Sequence, residues 1–140
     1  MKKVYFACSI RGGREDALVY GQIVDLINKY GKCLSELFGT EDHPHVDKSL
    51  SDAQIYRRDI NWLKTADCVI AEVSTPSLGV GYELTKAEEW QIPVLALYRR
   101  HPARKLSSMI AGGGKIKVHK YSSVDQLDGV IKDFLATEGV

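Results

Sequence analysis

The sequence predicts an α/β fold, a doubly wound five-stranded parallel sheet of order 2-1-3-4-5 with helices on both faces. Short, uniformly apolar runs alternate along the chain with segments whose apolar residues recur at helical spacing. Strands that are apolar throughout are typical of parallel sheets covered by helices. The chain has 140 residues, which suits one domain and is too short for two ordinary ones. In flavodoxin-like sheets of this order, ligands bind beyond the carboxyl ends of the first and third strands.

Five runs are predicted as strands because they are apolar and rich in β-branched or aromatic residues. Each is separated from the next by a segment of helical or turn character, so neighbouring strands are expected to run parallel. The five runs are residues 4–8, 33–38, 67–73, 93–98 and 116–119.

Helical periodicity marks the segments between the strands. After Gly12-Gly13 the apolar residues recur every three or four positions up to Tyr30, and Gly31 is a typical helix stop. Residues 39–48 are polar, contain two histidines and a proline, and are predicted to form a loop. Further helices are predicted over residues 51–64, 80–91 and 123–137, with a short helical turn after residue 105.

The charge balance excludes one class of partner. The chain has 19 Lys+Arg and 18 Asp+Glu, a formal net charge of +1. Binding the phosphate backbone of a nucleic acid polymer needs an excess of cations on one face, so no such polymer is expected. A single nucleotide needs only one or two cations and some backbone N–H groups, and is compatible with this balance.

The cysteines and histidines do not form a ligand pattern. The three cysteines are widely spaced without CxxC, and the four histidines lack metal-ligand or triad spacing. We therefore expect no metal, no cofactor and three buried thiols in a reducing compartment. No apolar run approaches the ~18 residues of a membrane span, and the N-terminal Met-Lys-Lys leads into a strand rather than a signal segment. The expectation is a cytoplasmic protein without a membrane partner.

Two loops at the expected ligand-binding edge have unusual compositions. Residues 9–13 join a strand to a helix N-terminus; their glycines let a ligand approach the backbone, and Arg11 can grip a phosphate. This segment is neither a P-loop nor a GxGxxG motif, and a tight turn with a surface arginine is the structural alternative. Residues 74–83 offer three hydroxyls, two glycines and Glu83. Taken alone, Glu83 is explained more simply as a carboxylate near the positive end of a helix.

Asp59 falls on the apolar face of its predicted helix. It shares that face with apolar residues four positions before it and three and four positions after it, whereas Arg57, Arg58 and Lys64 are expected on another face. A carboxylate among apolar side chains is costly unless it is functional or paired, for example with a neighbouring Arg or Lys. Two carboxylates that converge on one pocket can cleave a glycosidic bond, one as nucleophile and one as acid/base.

Several segments match a known pattern in order along the chain: VYFACSIRGGRED (4–16), DINWL (59–63), AD (66–67), AEV (71–73), PSLGVGYEL (76–84) and LSSMI (106–110). Together they resemble the 2′-deoxynucleoside 5′-phosphate N-hydrolases of the nucleoside 2-deoxyribosyltransferase superfamily. The resemblance covers almost the whole chain and implies one domain of that type over residues 1–140. It further implies hydrolysis of the N-glycosidic bond of a deoxynucleoside monophosphate, which gives free base and 2-deoxyribose 5-phosphate.

The resemblance also implies roles for individual residues. Glu83 matches the family nucleophile, which attacks C1′ to form a covalent glycosyl-enzyme that water resolves. Asp59 matches the companion carboxylate that assists base departure and activates water, and Tyr5 matches a tyrosine near the sugar and nucleophile. Positions that match substrate contacts are Ser9, Ile10, Arg11 and Gly12 in the first loop, Ser77 and Gly79 at the phosphate, and Ser107 and Met109, which in the family come from the adjacent subunit of a homodimer.

Three alternatives stay open at this point. A deoxyribosyltransferase differs only in passing the sugar to a second base. A CMP-type N-hydrolase accepts ribonucleotides, although the Tyr5 hydroxyl would crowd a 2′-hydroxyl. A non-catalytic nucleotide sensor would leave Asp59 and Glu83 with structural roles. Cys8 stands where the family often has a small residue such as glycine, and residues 39–49 have no familiar pattern, so the sequence leaves the preferred base open.

Overall fold

Five parallel strands form one sheet in the order β2-β1-β3-β4-β5, which confirms the predicted fold class. The computed structural model describes residues 1–10, 14–40 and 43–140. Cys8 pairs in register with Glu72, so the first and third strands end together at the edge where doubly wound sheets bind ligands. The strands are β1 (Lys3–Cys8), β2 (Lys32–Cys33), β3 (Cys68–Glu72), β4 (Val94–Arg99) and β5 (Ile116–Tyr121).

Six α-helices connect the strands in the described part of the chain. They are α1 (Arg14–Tyr30), α2 (His43–Lys48), α3 (Asp52–Thr65), α4 (Leu78–Glu89), α5 (Ser108–Gly112) and α6 (Leu127–Ala136). The start of α3 is fixed by a capping box, in which Ser51 Oγ accepts from Gln54 N at 3.2 Å and Gln54 Oε1 accepts from Ser51 N at 2.8 Å. The predicted last helix begins as a 3-10 turn, Val124–Gln126, before it continues as α6.

Tyr5 and Phe6 show how the helices divide between the two faces of the sheet. Successive side chains of a strand point to opposite faces. Phe6 packs edge-on against Tyr20 of α1, with ring centroids 6.1 Å apart. Helix α6 packs beside α1, and Lys29 Nζ of α1 donates to Asp128 Oδ1 of α6 at 2.9 Å. Tyr5 therefore points to the other face, which α3 and α4 cover.

The second strand is much shorter than predicted. The sequence indicated a strand over residues 33–38, but β2 ends at Cys33 and a 3-10 turn, Glu36–Gly39, follows. Ser35 Oγ accepts from Phe6 N and donates to Phe6 O, both at 2.8 Å. This side chain satisfies backbone groups of β1 that a longer second strand would have paired.

The segment after this turn is not the plain loop that was predicted for residues 39–48, because it contains α2. Close packing fixes the turn itself against α1. A Cβ on Gly39 would lie 2.8 Å from Cγ2 of Val24, and one on Gly21 would lie 2.9 Å from O of Gly39. Only glycine at both positions allows this approach.

The cysteines behave as buried small residues. Cys8, Cys33 and Cys68 are free thiols inside the core, as predicted. Burial raises the pKa of Cys33 to about 11 and that of Cys68 to about 12, so both stay protonated near neutral pH. Among the helices described, none combines the length and apolar character needed to cross a membrane.

Candidate active site

Glu83 lies deeper in its helix than the sequence indicated. The predicted helix began at residue 80, but α4 begins at Leu78 because Ser77 Oγ caps it by accepting from Val80 N at 3.2 Å. Glu83 is therefore beyond the first turn, where the helix dipole stabilises a carboxylate only weakly. The simple structural explanation of Glu83 as a charge at a helix N-terminus is wrong.

The Glu83 carboxylate is shielded from solvent together with the Tyr5 hydroxyl. Tyr5 is fully buried in β1, and within the described residues neither its hydroxyl nor Glu83 Oε2 has a hydrogen-bond partner of standard geometry. A buried polar group left in this state costs roughly 1–3 kcal/mol. Such groups are rare in native proteins and indicate a site completed by something else.

Burial raises the pKa of Glu83 to about 7; the Tyr5 hydroxyl nearby lowers this pKa and the charge of Asp59 raises it. Burial also raises the pKa of Tyr5 well above its ordinary value, reinforced by the charges of Glu83 and Asp59. Tyr5 is thus a neutral hydroxyl able to donate, beside a carboxyl group that titrates near neutral pH. Perturbed groups of this kind cluster at functional sites.

Asp59 enters the same region from α3. Its side chain is 15% exposed, in keeping with the apolar face on which the sequence places it. The expectation that Arg58 lies on a different face was wrong: its side chain is 19% exposed, and its Nε donates to Asp59 Oδ1 at 2.9 Å. The ion pair considered as the alternative for Asp59 is therefore present, while Asp59 still acts electrostatically on Glu83.

Three aromatic rings form a wall beside these carboxylates. The Tyr5 and Phe38 centroids are 6.1 Å apart at 87°, and those of Phe38 and Trp62 are 5.9 Å apart at 80°. Tyr5 and Phe38 are both buried, so these two rings pack against each other edge-to-face. Sequence reasoning missed Phe38, because it was assigned to a strand and only the 3-10 turn brings it against Tyr5.

The two loops at this edge meet the predictions only in part. Ser9 is 5% exposed and Ile10 is 43% exposed directly after β1, so Ser9 faces inward and Ile10 outward. The predicted binding residues Arg11 and Gly12 lie outside the described residues. No metal-binding group of three His, Cys, Asp or Glu side chains occurs in the ranges that the structure describes.

Ser77 and Gly79 lie at the open N-terminal end of α4. A Cβ on Gly79 would contact only Ser77 Oγ, at 3.8 Å, so the backbone here is accessible to a ligand. The first N–H groups of a helix lack intrahelical partners and suit an anion such as a phosphate. Both predicted phosphate contacts therefore lie at the N-terminal end of α4, the helix that carries Glu83.

Ser107 and Met109 lie apart from Glu83 in the same chain. Ser107 caps α5 by accepting from Met109 N at 3.3 Å, and both residues line a cavity of about 790 Å³ between α4 and α5. Residues of α4 that line it include Leu84 and Glu88, which are rotated roughly 100–140° from Glu83 around the helix. Ser107 and Met109 therefore do not reach Glu83 of their own chain.

A second buried glutamate anchors the loop that precedes α4. Glu72, which is 2% exposed, accepts from Ser74 N at 2.6 Å and from the Tyr121 hydroxyl. Ser74 Oγ in turn accepts from Arg99 N at 2.7 Å, and Arg99 Nη2 donates to Asp16 Oδ1 at 2.7 Å. This network ties the first turn of α1, the loop after β3 and the ends of β4 and β5 together. Sequence reasoning gave no role to Glu72, because its partner Tyr121 comes from a strand 49 positions further along the chain.

Comparisons with known proteins place the chain among its relatives. A family model described as nucleoside 2-deoxyribosyltransferase matches residues 4–127. A Nematostella vectensis protein with the provisional name 2′-deoxynucleoside 5′-phosphate N-hydrolase 1 is 44% identical over 138 residues, 95% of this chain and 94% of the relative. A Rattus norvegicus protein named 5-hydroxymethyl-dUMP N-hydrolase is 45% identical over 124 residues, 85% of this chain and 76% of the relative. The solved structure of Clostridium botulinum CMP N-glycosidase, BcmB, shares the fold with a TM-score of 0.68 at 17% identity, covering 95% of this chain and 99% of the other.

Proposed function

The chain belongs to the nucleoside 2-deoxyribosyltransferase family, and from that membership we propose that it hydrolyses the N-glycosidic bond of 2′-deoxynucleoside 5′-monophosphates. The products are the free base and 2-deoxyribose 5-phosphate. Its relatives are named as N-hydrolases of such nucleotides. The observation that carries the proposal is the buried pair of Tyr5 and Glu83, whose hydrogen-bonding atoms find no standard partner within the described chain.

In the first step Glu83 acts as the nucleophile. Its ionised carboxylate attacks C1′, a C1′–O bond forms, the C1′–N bond breaks, and the electron pair leaves with the base. In the reacting state the two carboxyl groups carry one proton between them, on Asp59 while Glu83 is ionised, and the departing base nitrogen takes this proton from Asp59. The developing oxocarbenium character is stabilised by the adjacent carboxylate, and the absence of a 2′-hydroxyl makes the deoxyribosyl cation easier to form. With substrate bound, retaining geometry predicts roughly 5–5.5 Å between the two carboxyl groups.

In the second step water releases the sugar. Asp59, now a carboxylate, takes a proton from water as the water oxygen attacks C1′, and the C1′–O bond to Glu83 breaks. Glu83 regains its negative charge and Asp59 its proton, so the enzyme returns to its starting state. The Tyr5 hydroxyl donates to the Glu83 carboxylate and holds the reacting oxygen in place.

The phosphate orients the sugar from the other end of the nucleotide. We place it at the N-terminal end of α4, where Ser77 and the backbone at Gly79 face outward, with Arg11 and Gly12 of the first loop as further ligands. Ser9 and Ile10 complete the first-strand side. Binding energy from this remote group fixes C1′ against Glu83 and so contributes to turnover rather than only to affinity.

A homodimer completes the site in this proposal. Leu78 is 97% exposed and Met109 is 83% exposed, and both line the cavity beside α4; exposed apolar side chains that lie together mark interfaces. Ser107 and Met109 would reach Glu83 of a second copy. Mixing two inactive variants, Glu83→Gln and Ser107→Asp, should then restore about a quarter of wild-type activity, because half of randomly formed dimers carry one intact site. No recovery in dimers shown to exchange subunits would contradict the shared site.

Base release from a panel of nucleotides tests the function. Purified protein should release base from deoxynucleoside monophosphates, with 5-hydroxymethyl-dUMP in the panel, and at least about 100-fold more slowly from the unphosphorylated deoxynucleosides, since they lack the remote binding group. The panel also includes CMP beside dCMP. Turnover of none of these compounds, with tight binding of a deoxynucleoside monophosphate, would identify a sensor; exchange with an added free base would identify a transferase; and equal rates on CMP and dCMP would identify a ribonucleotide hydrolase.

A further inference from the structure

Arg58 is a half-buried cation that the roles above leave unused. Its side chain is 19% exposed, and its guanidinium carbon lies 5.0 Å from the Trp62 ring centroid and 5.7 Å from that of Phe38. The guanidinium thus lies within cation–π distance of two rings of the aromatic wall, an interaction that arginine makes more often than lysine. By contrast Arg57, the preceding residue, is exposed.

The Arg58 guanidinium bridges two carboxylates on different helices. Nη1 donates to Asp47 Oδ1 at 2.7 Å and Nη2 lies 3.5 Å from Asp47 Oδ2. Nε donates to Asp59 Oδ1 at 2.9 Å. Asp47 belongs to α2 and its side chain is 12% exposed, against 15% for Asp59. All three charged groups are thus largely removed from water, where ion pairs are stronger and more sensitive to geometry than on the surface.

We propose that Arg58 is a positioning residue that aims the Asp59 carboxyl group at the departing base and makes this aim depend on α2. The inference rests on the proposed function, in which Asp59 protonates the base. The planar guanidinium fixes the plane and rotamer of the Asp59 carboxylate through Nε, while its other two nitrogens hold Asp47. Docking of α2 beside the aromatic wall and placement of Asp59 are then one structural event, so the helix beside this wall also sets the acid/base group.

Four variants separate positioning from simple stabilisation. Arg58→Met keeps the apolar stem and removes the bridge; Arg58→Lys keeps one charge but cannot bond both carboxylates at once; Asp47→Asn weakens the α2 end only; Arg57→Met is the matched control. For a deoxynucleoside monophosphate we expect kcat to fall about 100-fold in Arg58→Met, at the low end of what a positioned general acid contributes, with KM changed by less than about threefold. Arg58→Lys and Asp47→Asn should lie between this variant and wild type, and Arg57→Met should match wild type.

A double-mutant cycle shows whether Arg58 acts through Asp59. In an Asp59→Asn background, Arg58→Met should lower kcat no further, because the group that it aims is gone. A substrate with a 4-nitrophenolate leaving group on 2-deoxyribose 5-phosphate gives a second readout, since this group departs without a proton. Its release should be nearly unchanged in Arg58→Met but abolished in Glu83→Gln. Thermal unfolding of each variant gives the folded fraction to which the rates are referred.

Three results would overturn the proposal about Arg58: a loss in Arg58→Met explained by its unfolded fraction, multiplicative effects of the two substitutions in the cycle, or equal loss on both substrates. Each of these leaves wild-type base release intact. Failure of the proposed function is distinct, because wild-type protein would then release base from no nucleotide in the panel.

Discussion

Two glutamates at the same end of the sheet, each with a carboxyl oxygen shielded from solvent, have opposite surroundings. Glu72, at the end of β3, accepts hydrogen bonds from Ser74 N and the Tyr121 hydroxyl. Glu83, in the helix that follows, has an oxygen without a partner of standard geometry in the described chain. Burial raises the pKa of both carboxyl groups. A raised carboxyl pKa therefore does not by itself distinguish a structural anchor from a candidate reactive group; the two hydrogen bonds that hold Glu72 in place do.

The two glutamates also lie on opposite faces of the sheet. Glu72 pairs in register with Cys8, which is in phase with Phe6 and so points toward α1. Glu83 approaches Tyr5 on the face covered by α3 and α4. One face thus holds the loop after β3 in place, and the other carries Tyr5 and Glu83, for which we propose a catalytic role. A strand end and the helix that follows it can therefore serve different faces of the same sheet.

Replacing each carboxylate with an amide should give the largest difference between Glu83 and Glu72. Glu83→Gln should lower kcat by at least about 10³-fold, because the nucleophile is lost. It should also make the protein more stable at pH 8. The pKa of Glu83 is about 7 in the folded protein, above the ordinary 4.5, so folding favours the protonated carboxyl group. Its contribution to the free energy of unfolding is complete below pH 4.5 and is lost as the pH rises through 7. Thermal unfolding should show a gain on the order of 1–2 kcal/mol at pH 8 and little change at pH 4.

Glu72→Gln is the matched control and should behave in the opposite way. The amide oxygen can keep the bond from Ser74 N, but the amide NH2 would then face the Tyr121 hydroxyl, which now donates to Glu72 and would have to turn to accept. We expect a loss of about 1–3 kcal/mol in unfolding free energy, with kcat per folded molecule changed by less than about tenfold. If Glu72→Gln were as inactive as Glu83→Gln and equally stable, the division of labour between the two glutamates would be wrong.

The pH dependence of base release should carry the signature of Glu83. Because the nucleophile must be ionised and its pKa is about 7, kcat/KM should fall about tenfold for each pH unit below 7, and about 100-fold at pH 5. Initial rates at subsaturating nucleotide over pH 5–9 give the profile. An acid limb centred near pH 4.5 would show that water reaches the Glu83 carboxylate. The comparison of Glu83 with Glu72 as two shielded carboxyl groups would then be wrong.

Much of this fold follows from local patterns in the sequence. Strands buried on both faces appear as uniformly apolar runs, so the existence of the five strands and their parallel direction are predictable from the pattern of apolar runs and helical segments. The helical periodicity places Asp59 among apolar residues correctly, for the same reason. The early end of β2 is not predictable from such patterns. The Ser35 side chain takes the place of backbone pairing with β1, and a serine within an apolar run does not indicate such a bond.

The parts of the site that the sequence did not indicate depend on contacts distant along the chain. Arg58 was placed with the exposed cations because helical periodicity considers only its own helix, whereas its burial depends on Asp47 and two aromatic rings. Glu72 meets Tyr121 only through the register of β3, β4 and β5. Propensities within one element cannot encode such pairs, since they arise when separate elements pack.

Tyr5→Phe should give the smallest effect and the finest test of the comparison. Loss of the hydroxyl removes a buried polar atom without a partner in the described residues, so stability should stay constant or rise by about 1 kcal/mol. Base release should slow about tenfold, the equivalent of one hydrogen bond to the reacting carboxylate. Because the Tyr5 hydroxyl lowers the pKa of Glu83, its loss should also move the acid limb of the pH profile to higher pH. If the acid limb came from titration of the substrate phosphate instead, Tyr5→Phe would leave its position unchanged. A variant that loses stability and keeps the wild-type pH profile would mean that Tyr5 supports the core as Glu72 supports its loop, and that only Glu83 belongs to the reactive face.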